Sequence, residues 1–240
     1  CDLEFGTGGL RGIIGAGTNR INIYTVKRAT MGLSLYLNKK AEKPSVCIAY
    51  DTRHMSKEFA SAAAEVLCGN NVKTYLFDTV HPTPMLSFAV RELKAEAGIV
   101  ITASHNPKEY NGYKVYGSDG GQITDKAAKE ILACIKSCDY FEGIKSMSLK
   151  DAEKLQLLEQ ITAETDDIYF NKVKDLSIRK KLLKEKAAEL NIIYTPLHGS
   201  GNIPVRRILK ELRFTNVAVV PEQKIPEGNY PTTQYPNPEE

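Results

Sequence analysis

Between positions 102 and 114 the chain reads Thr-Ala-Ser-His-Asn-Pro-Lys-Glu-Tyr-Asn-Gly-Tyr-Lys. Hydroxyl, imidazole, amide and ammonium groups are crowded into one short stretch. A serine nucleophile needs a neighbour to take its proton and a field to hold the charge that develops. His105 and Lys114 could supply both beside Ser104. The stretch begins where an apolar run ends, and ligands of α/β sheets gather outside the carboxyl ends of strands. Pro107 and Gly112 shape it as a loop. The same residue types also compose an ordinary polar turn. No Gly-x-Ser-x-Gly elbow occurs and no Asp is placed by sequence to orient His105, so a hydrolase triad is not supported.

Three further segments carry chemistry. Phe5-Gly6-Thr7-Gly8-Gly9-Leu10-Arg11-Gly12 brings glycines that let a backbone approach an anion, with an arginine that can fork onto phosphate oxygens. Arg11 breaks the GxGxxG pattern and no strand signal precedes the segment, so a flexible N-terminal loop is the competing reading. Asp51-Thr52-Arg53 stands at the end of a strand signal, placed to anchor a neighbouring loop or to touch a ligand. Pro196-Leu197-His198-Gly199-Ser200-Gly201 fits a strand-to-helix turn, whose N–H groups can face an anion or merely close the turn. His198 is left out of the catalytic set, and His54 and His81 read as structural. GxxxxGK[ST] is absent.

Alternating signals position these segments. Apolar residues at helical spacing run from Ile23 to Lys39, followed by a buried-strand run over Val46 to Tyr50. A helix is expected over Phe59 to Leu67, a strand over Val72 to Phe77, a helix over Pro84 to Leu93 and a strand over Gly98 to Thr102. Asp125 to Ser137 is helical, and residues 151–190 read as two or three amphipathic helices. The strand signal restarts at Asn191 to Thr195, with a helix at Ile203 to Leu212 and a strand at Val217 to Val220. The prolines from Pro221 onward suit an extended loop. Such alternation argues for an α/β fold with a mixed, mostly parallel sheet sandwiched by helices. We divide the chain at residues 1–150 and 151–240, the second unit incomplete.

The 240 residues carry 32 Lys and Arg against 29 Asp and Glu, a net charge of +3 too slight and too evenly spread to argue for nucleic acid. No run of about 18 apolar residues offers a membrane span. The chain begins at Cys1 with no secretory leader pattern, as a piece cut from a longer protein would. Five cysteines at irregular spacing suit reduced thiols and a cytoplasmic location.

Taken together, these segments resemble the α-D-phosphohexomutases, the phosphoglucomutase and phosphomannomutase superfamily. The resemblance covers Thr102–Pro107 with Tyr110–Lys114, Phe5–Gly12, Tyr50–Arg53, Gly120-Gly121-Gln122-Ile123 and Thr195–Gly199, in family order and across nearly the whole chain. The loop wording is nearest the phosphoglucomutase-2-like branch, which includes phosphopentomutases. The resemblance implies four α/β domains around a cleft, the first and part of the second being present here, with the remaining domains of the same parent chain as partners. It implies that Ser104 carries a phosphoryl group, that His105 and Lys114 line the site with Lys114 moving a proton, and that Thr7 and Arg11 contact a small-molecule sugar phosphate. It implies interconversion of sugar 1-phosphate with 6-phosphate (5-phosphate for pentoses) through a bisphosphate, with Mg²⁺ bound to the Ser104 phosphoryl oxygen and a sugar bisphosphate such as glucose 1,6-bisphosphate as activator. The family's Asp-x-Asp-x-Asp metal loop does not occur here and belongs beyond residue 240, so the piece alone is expected to be inactive. Gly8 stands where many relatives have Ser. A sugar-phosphate phosphatase, or a sugar-phosphate-binding protein without catalysis, remain as other readings.

Overall fold

The computed structural model describes residues 2–233, 236 and 237. Cys1, Gln234, Tyr235 and the final residues Pro238, Glu239 and Glu240 lie outside it.

Six strands make the first sheet. They are β1 (Leu10–Ile13), β2 (Ser45–Tyr50), β3 (Lys73–Phe77), β4 (Ala97–Ile101), β5 (Tyr110–Gly117) and β6 (Leu158–Ile161), in the spatial order β1-β5-β4-β2-β3-β6. The pairs β4–β2, β2–β3 and β3–β6 are parallel, while β1–β5 and β5–β4 are antiparallel. Six helices cover it: α1 (Ile23–Lys40), α2 (Ser56–Gly69), α3 (Thr83–Glu92), α4 (Asp125–Lys136), α5 (Leu149–Lys154) and α6 (Ala163–Asp175).

Alternation along β2 sorts the two faces. Val46, Ile48 and Tyr50 enter a core with Leu33 of α1, Phe59 and Leu67 of α2 and Ile131 of α4. Cys47 and Ala49 point the other way, against Leu86 and Val90 of α3 and Phe170 of α6. Cys47 and Cys68 are buried thiols, and burial pushes the Cys47 thiol up to about 12. The start of α1 is a capping box: the Asn22 side chain accepts from Thr25 N–H while the Thr25 hydroxyl accepts from Asn22 N–H, both at 3.0 Å.

Three strands depart from the sequence expectation. β1 and β5 fall in segments read as loops, because glycines at 9, 12 and 112 and the Asn at 111 erase the apolar alternation. β6 falls within residues expected to be helical. It has four residues, with Glu159 and Gln160 exposed and Leu158 and Ile161 buried on opposite faces, too short for a period to register. α5 and β6 both pack with the first unit: Ala152 is fully buried in its core, and Leu158–Ile161 pair with Thr74–Phe77.

Beyond α6 come α7 (Lys180–Lys186) and a second, two-stranded parallel sheet. In it β7 (Asn191–Tyr194) pairs with β8 (Asn216–Val219), with α8 (Asn202–Glu211) between them in sequence. α8 meets α6 through ion pairs from Arg207 to Asp167 and from Lys174 to Glu211. The tail opens with one helical turn, α9 (Pro221–Lys224), where an extended loop was expected, and Pro at the first helical position forfeits no hydrogen bond. Among the described residues no helix is long and apolar enough to cross a membrane.

Candidate active site

The loop 102–109 joins β4 to β5, and Ser104 is exposed at its tip. Its backbone is left-handed, φ +58°, a region that bulky L-residues rarely occupy. Local bonds hold it there. Ser104 N–H donates to the Thr102 hydroxyl at 3.0 Å, Asn106 N–H to the Ala103 carbonyl at 3.1 Å, and Tyr110 N–H to the Pro107 carbonyl at 3.0 Å. The turn swings the serine side chain outward, with its Oγ 3.4 Å from His105 Nδ1.

The loop is fastened from beneath by Arg53, which is 3% exposed at the end of β2, the neighbour of β4. Its Nη2 donates to the carbonyls of Ser104 at 2.8 Å and Asn106 at 2.5 Å. Its Nη1 donates to those of Pro107 at 2.8 Å and Tyr110 at 3.0 Å. A planar fork of N–H groups suits such a ring of acceptors, and an ammonium does not. Asp51 balances the charge, its Oδ2 3.5 Å from Arg53 Nε. Burial drives the Asp51 carboxyl upward, against hydroxyl bonds from Thr102 and Ser56 and the Arg53 contacts that pull it down. The expectation that this pair anchors a neighbouring loop is met.

Asn111, fully buried, ties β5 to the segment 54–56 that follows Arg53. Its amide nitrogen donates to the His54 carbonyl and to Ser56 Oγ, both at 2.9 Å, and Ser56 Oγ donates to Asp51 at 2.7 Å. In the sequence Asn111 stood within the stretch 110–114 with no role of its own assigned. Its signal was a short amide in the middle of a motif, with nothing to say that the motif was a buried strand.

Two cations approach the loop from the sheet. Lys114 stands on β5 rather than on the loop, because Tyr113 and Val115 turn into the core and Lys114 alternates away from it. Arg11 of β1 is paired with Gly112, two residues from Lys114. Both side chains therefore leave the same sheet face as diagonal neighbours. Arg11 Nη1 lies 3.3 Å from Asn106 Oδ1, tying this edge to the Ser104 loop. Burial, with the charges of Arg11 and Arg53, lowers the Lys114 ammonium from its ordinary range, partly offset by Asp51.

The glycine segment is a closed turn, not a flexible loop. Gly6 and Gly9 exchange two backbone bonds, at 2.8 and 3.2 Å, and place Thr7 and Gly8 at the tip. Gly9 has φ +76°, and a Cβ there would sit 1.9 Å from the Tyr113 carbonyl oxygen. Only glycine fits so near β5. Arg11, Ser104, His105 and Lys114 are thus drawn to one end of the sheet. Thr7 is exposed, and its hydroxyl makes no hydrogen bond among the described residues.

The remaining histidines are fixed by packing. His81 is buried, stacked on Phe77 with ring centroids 4.1 Å apart, its Nε2 3.1 Å from Asp166 of α6. His54 Nε2 meets Asn229 Oδ1 at 3.0 Å, and His198 is buried inside the second unit.

Comparison with known proteins gives consistent likenesses. Family models described as phosphoglucomutase/phosphomannomutase, alpha/beta/alpha domains I and II, match residues 2–141 and 167–240. A phosphoglucomutase of Staphylococcus epidermidis is 40% identical over 238 residues, and one of Staphylococcus aureus 37% over 242; each alignment covers 99% of this chain. The chain spans only 42% of the length of these relatives. A solved structure from Thermus thermophilus, described as a phosphomannomutase, superposes with a TM-score of 0.80 at 26% identity, over 98% of this chain and 48% of that one. A phosphoglucomutase from Paramecium, with a TM-score of 0.71 at 16% identity and coverage of 98% and 46%, shares the fold.

Proposed function

Because the chain belongs to the phosphoglucomutase/phosphomannomutase family, we propose that the whole protein is a phosphosugar mutase in which Ser104 carries the phosphoryl group. The observation that supports this reading is an exposed serine on a braced left-handed turn, with His105 beside it and Arg11 and Lys114 on one adjoining sheet face.

Phosphoryl transfer is mainly positioning and charge neutralisation. With Ser104 phosphorylated, a free hydroxyl oxygen of a bound sugar phosphate attacks phosphorus. The new O–P bond forms as the Ser104 Oγ–P bond breaks, and the departing Oγ takes up a proton from His105, whose Nδ1 lies 3.4 Å away. The hydroxyl proton passes to a neutral base, for which Lys114 is the candidate, and Arg11 offsets charge on the transferring oxygens. The bisphosphate then returns its other phosphoryl group to Ser104 Oγ by the reverse step. The phosphate has moved between hydroxyls, and none is released to water.

Family membership suggests a metal-dependent enzyme, with Mg²⁺ as the implied ion and a sugar bisphosphate as activator. Magnesium requires about six oxygen ligands in octahedral array. Among the described residues no group of three His, Cys, Asp or Glu side chains could hold a metal ion. Asp51, near the site, is engaged by Ser56 and Arg53. The residues present therefore do not fit the ion, and no step here runs through it.

The test is product analysis with the full-length protein, a sugar 1-phosphate and a trace of the bisphosphate. A mutase yields the isomeric sugar phosphate with free phosphate at background. Stoichiometric free phosphate would make the protein a phosphatase, and neither product would leave a binding protein.

A further inference from the structure

The tail beyond α9 returns to the first unit and packs against the turn 52–54. Gly228 lies so close that an added Cβ would stand 2.8 Å from His54 N and 3.0 Å from the Thr52 carbonyl oxygen. Backbone packs on backbone there. The next residue, Asn229, meets His54 Nε2 at 3.0 Å. Tyr230 follows, 5% exposed, with its ring centroid 5.6 Å from the Arg53 guanidinium carbon, close enough for cation–π attraction. Arg53 therefore meets the tyrosine ring as well as the Asp51 carboxylate and the four carbonyls of the Ser104 loop.

The second unit sets this tail in place through His198. Its Nδ1 faces the Ile225 carbonyl at 2.9 Å, and a carbonyl only accepts, so Nδ1 carries the proton. Nε2 meets the Thr232 hydroxyl at 3.0 Å. His198 N–H donates to the Gln223 carbonyl at 2.9 Å, and Glu227 N–H donates to the His198 carbonyl at 3.2 Å. The His198 ring also meets the Tyr230 ring edge-on, centroids 6.5 Å apart. One buried imidazole thus grips both ends of the segment 225–232 and touches the residue that faces Arg53.

We infer that Tyr230 is a positioning residue for the phosphoryl-carrying loop: the tail, set by His198, fixes the plane of the Arg53 guanidinium, and that plane fixes the carbonyls on either side of Ser104. The inference rests on the reading of Ser104 as the phosphoryl carrier. It makes the second unit a controller of reactivity in the first, with no residue of its own at the reacting atoms. A buried fork with four bonds on one side transmits a tilt directly to the loop, because each carbonyl must follow its donor or lose the bond.

The experiment uses the full-length protein with Tyr230→Ala, Tyr230→Phe and Gly228→Val. Tyr230→Ala and Gly228→Val should lower kcat by about 10- to 100-fold, the cost of small misplacement, with KM changed less than about twofold. Hydrogen exchange should quicken at the amides of 104, 106 and 110 and stay unchanged in β2 and β4. Tyr230→Phe keeps the ring and should restore both readouts. Unchanged kcat and unchanged exchange in Tyr230→Ala would overturn the inference. So would a loss of protection spread evenly over the first sheet, or a Tyr230→Phe variant as impaired as Tyr230→Ala. If Gly228→Val fails to fold, the two Tyr230 variants decide. Exchange needs no turnover: a wild type that never takes phosphate on Ser104 defeats the functional reading, while the exchange result still judges the link from Tyr230 to the loop.

Discussion

Arg53 Nη2 donates to the Ser104 carbonyl across 2.8 Å, joining residues 51 apart in sequence. The bond is one of four from a single buried guanidinium, and the exposed serine depends on it for its place. An exposed turn is thus held in place by a residue that solvent barely reaches.

Replacement of that guanidinium is the severest single change we expect outside the core. Arg53→Met leaves the largely covered Asp51 without its cation and takes the Arg53 donor from four carbonyls, of which, among the described residues, only that of Pro107 keeps another, the Tyr110 N–H. The cost should be about 3–5 kcal/mol of stability, the range for breaking a buried ion pair. Arg53→Lys keeps the charge but not the fork and should recover only part of it. Chemical denaturation measures both; a loss in Arg53→Met below about 1 kcal/mol, the net worth of one ordinary hydrogen bond, contradicts the role.

His81 should make the join between the first sheet and α6 dependent on pH. Burial works against its imidazolium, but the Asp166 carboxylate, the Thr79 carbonyl and the nearby Asp78 outweigh it and raise its titration above the usual histidine range. A raised value means that the contribution is complete below the unfolded value, near pH 6.5, and is lost as pH climbs through the folded one. Thermal midpoints should fall over that alkaline-going window in the wild type and fall less in Asp166→Asn. A midpoint that rises there, or an identical slope in the variant, would show that the pair does not titrate as described.

The legible part of this molecule was its repeating part. Helices over Ile23–Lys40 and Asn202–Glu211 and strands over Ser45–Tyr50 and Ala97–Ile101 carried clear periods, and the structure places them within a residue or two of expectation. Ser104, His105 and Lys114 stood out as candidates by type and Arg11 through the family resemblance, and the structure brings the four to one end of the sheet. What sequence hid was their support. β1 and β5 are punctuated by glycines needed for close approach, so the strands that present Arg11 and Lys114 looked like loops. Arg53 was visible as part of a pair, but its four acceptors are main-chain oxygens, which no side-chain pattern encodes. Tyr230 sits in a proline-rich tail, where composition alone says only that the backbone is extended.

Lys114 should report its surroundings in a pH–rate profile. If the neutral amine accepts the proton, kcat rises with pH through the lysine titration. Burial and the cations of Arg11 and Arg53 lower that titration, so the rising limb should lie below the range of an ordinary lysine. Arg11→Gln removes one of those cations and should move the limb to higher pH, whatever it does to the absolute rate. A limb that stays put, or moves down, excludes Lys114 as the titrating base.

The 240-residue chain alone should show no mutase turnover. It spans 42% of the length of its Staphylococcus epidermidis relative, and its described residues hold no metal donor set. A coupled assay of the isolated chain beside the full-length protein checks this, and robust turnover by the chain would refute it.

The central claim is that Ser104 Oγ holds the phosphoryl group between its two sugar positions. The direct measurement is a chase: full-length protein labelled from a sugar bisphosphate with radioactive phosphate, then mixed with unlabelled sugar phosphate and quenched in milliseconds to seconds. Label should appear on Ser104 and leave for the sugar at least as fast as turnover, and none should appear in Ser104→Ala. Label on another residue, or a Ser104 label that outlasts many turnovers, would contradict it.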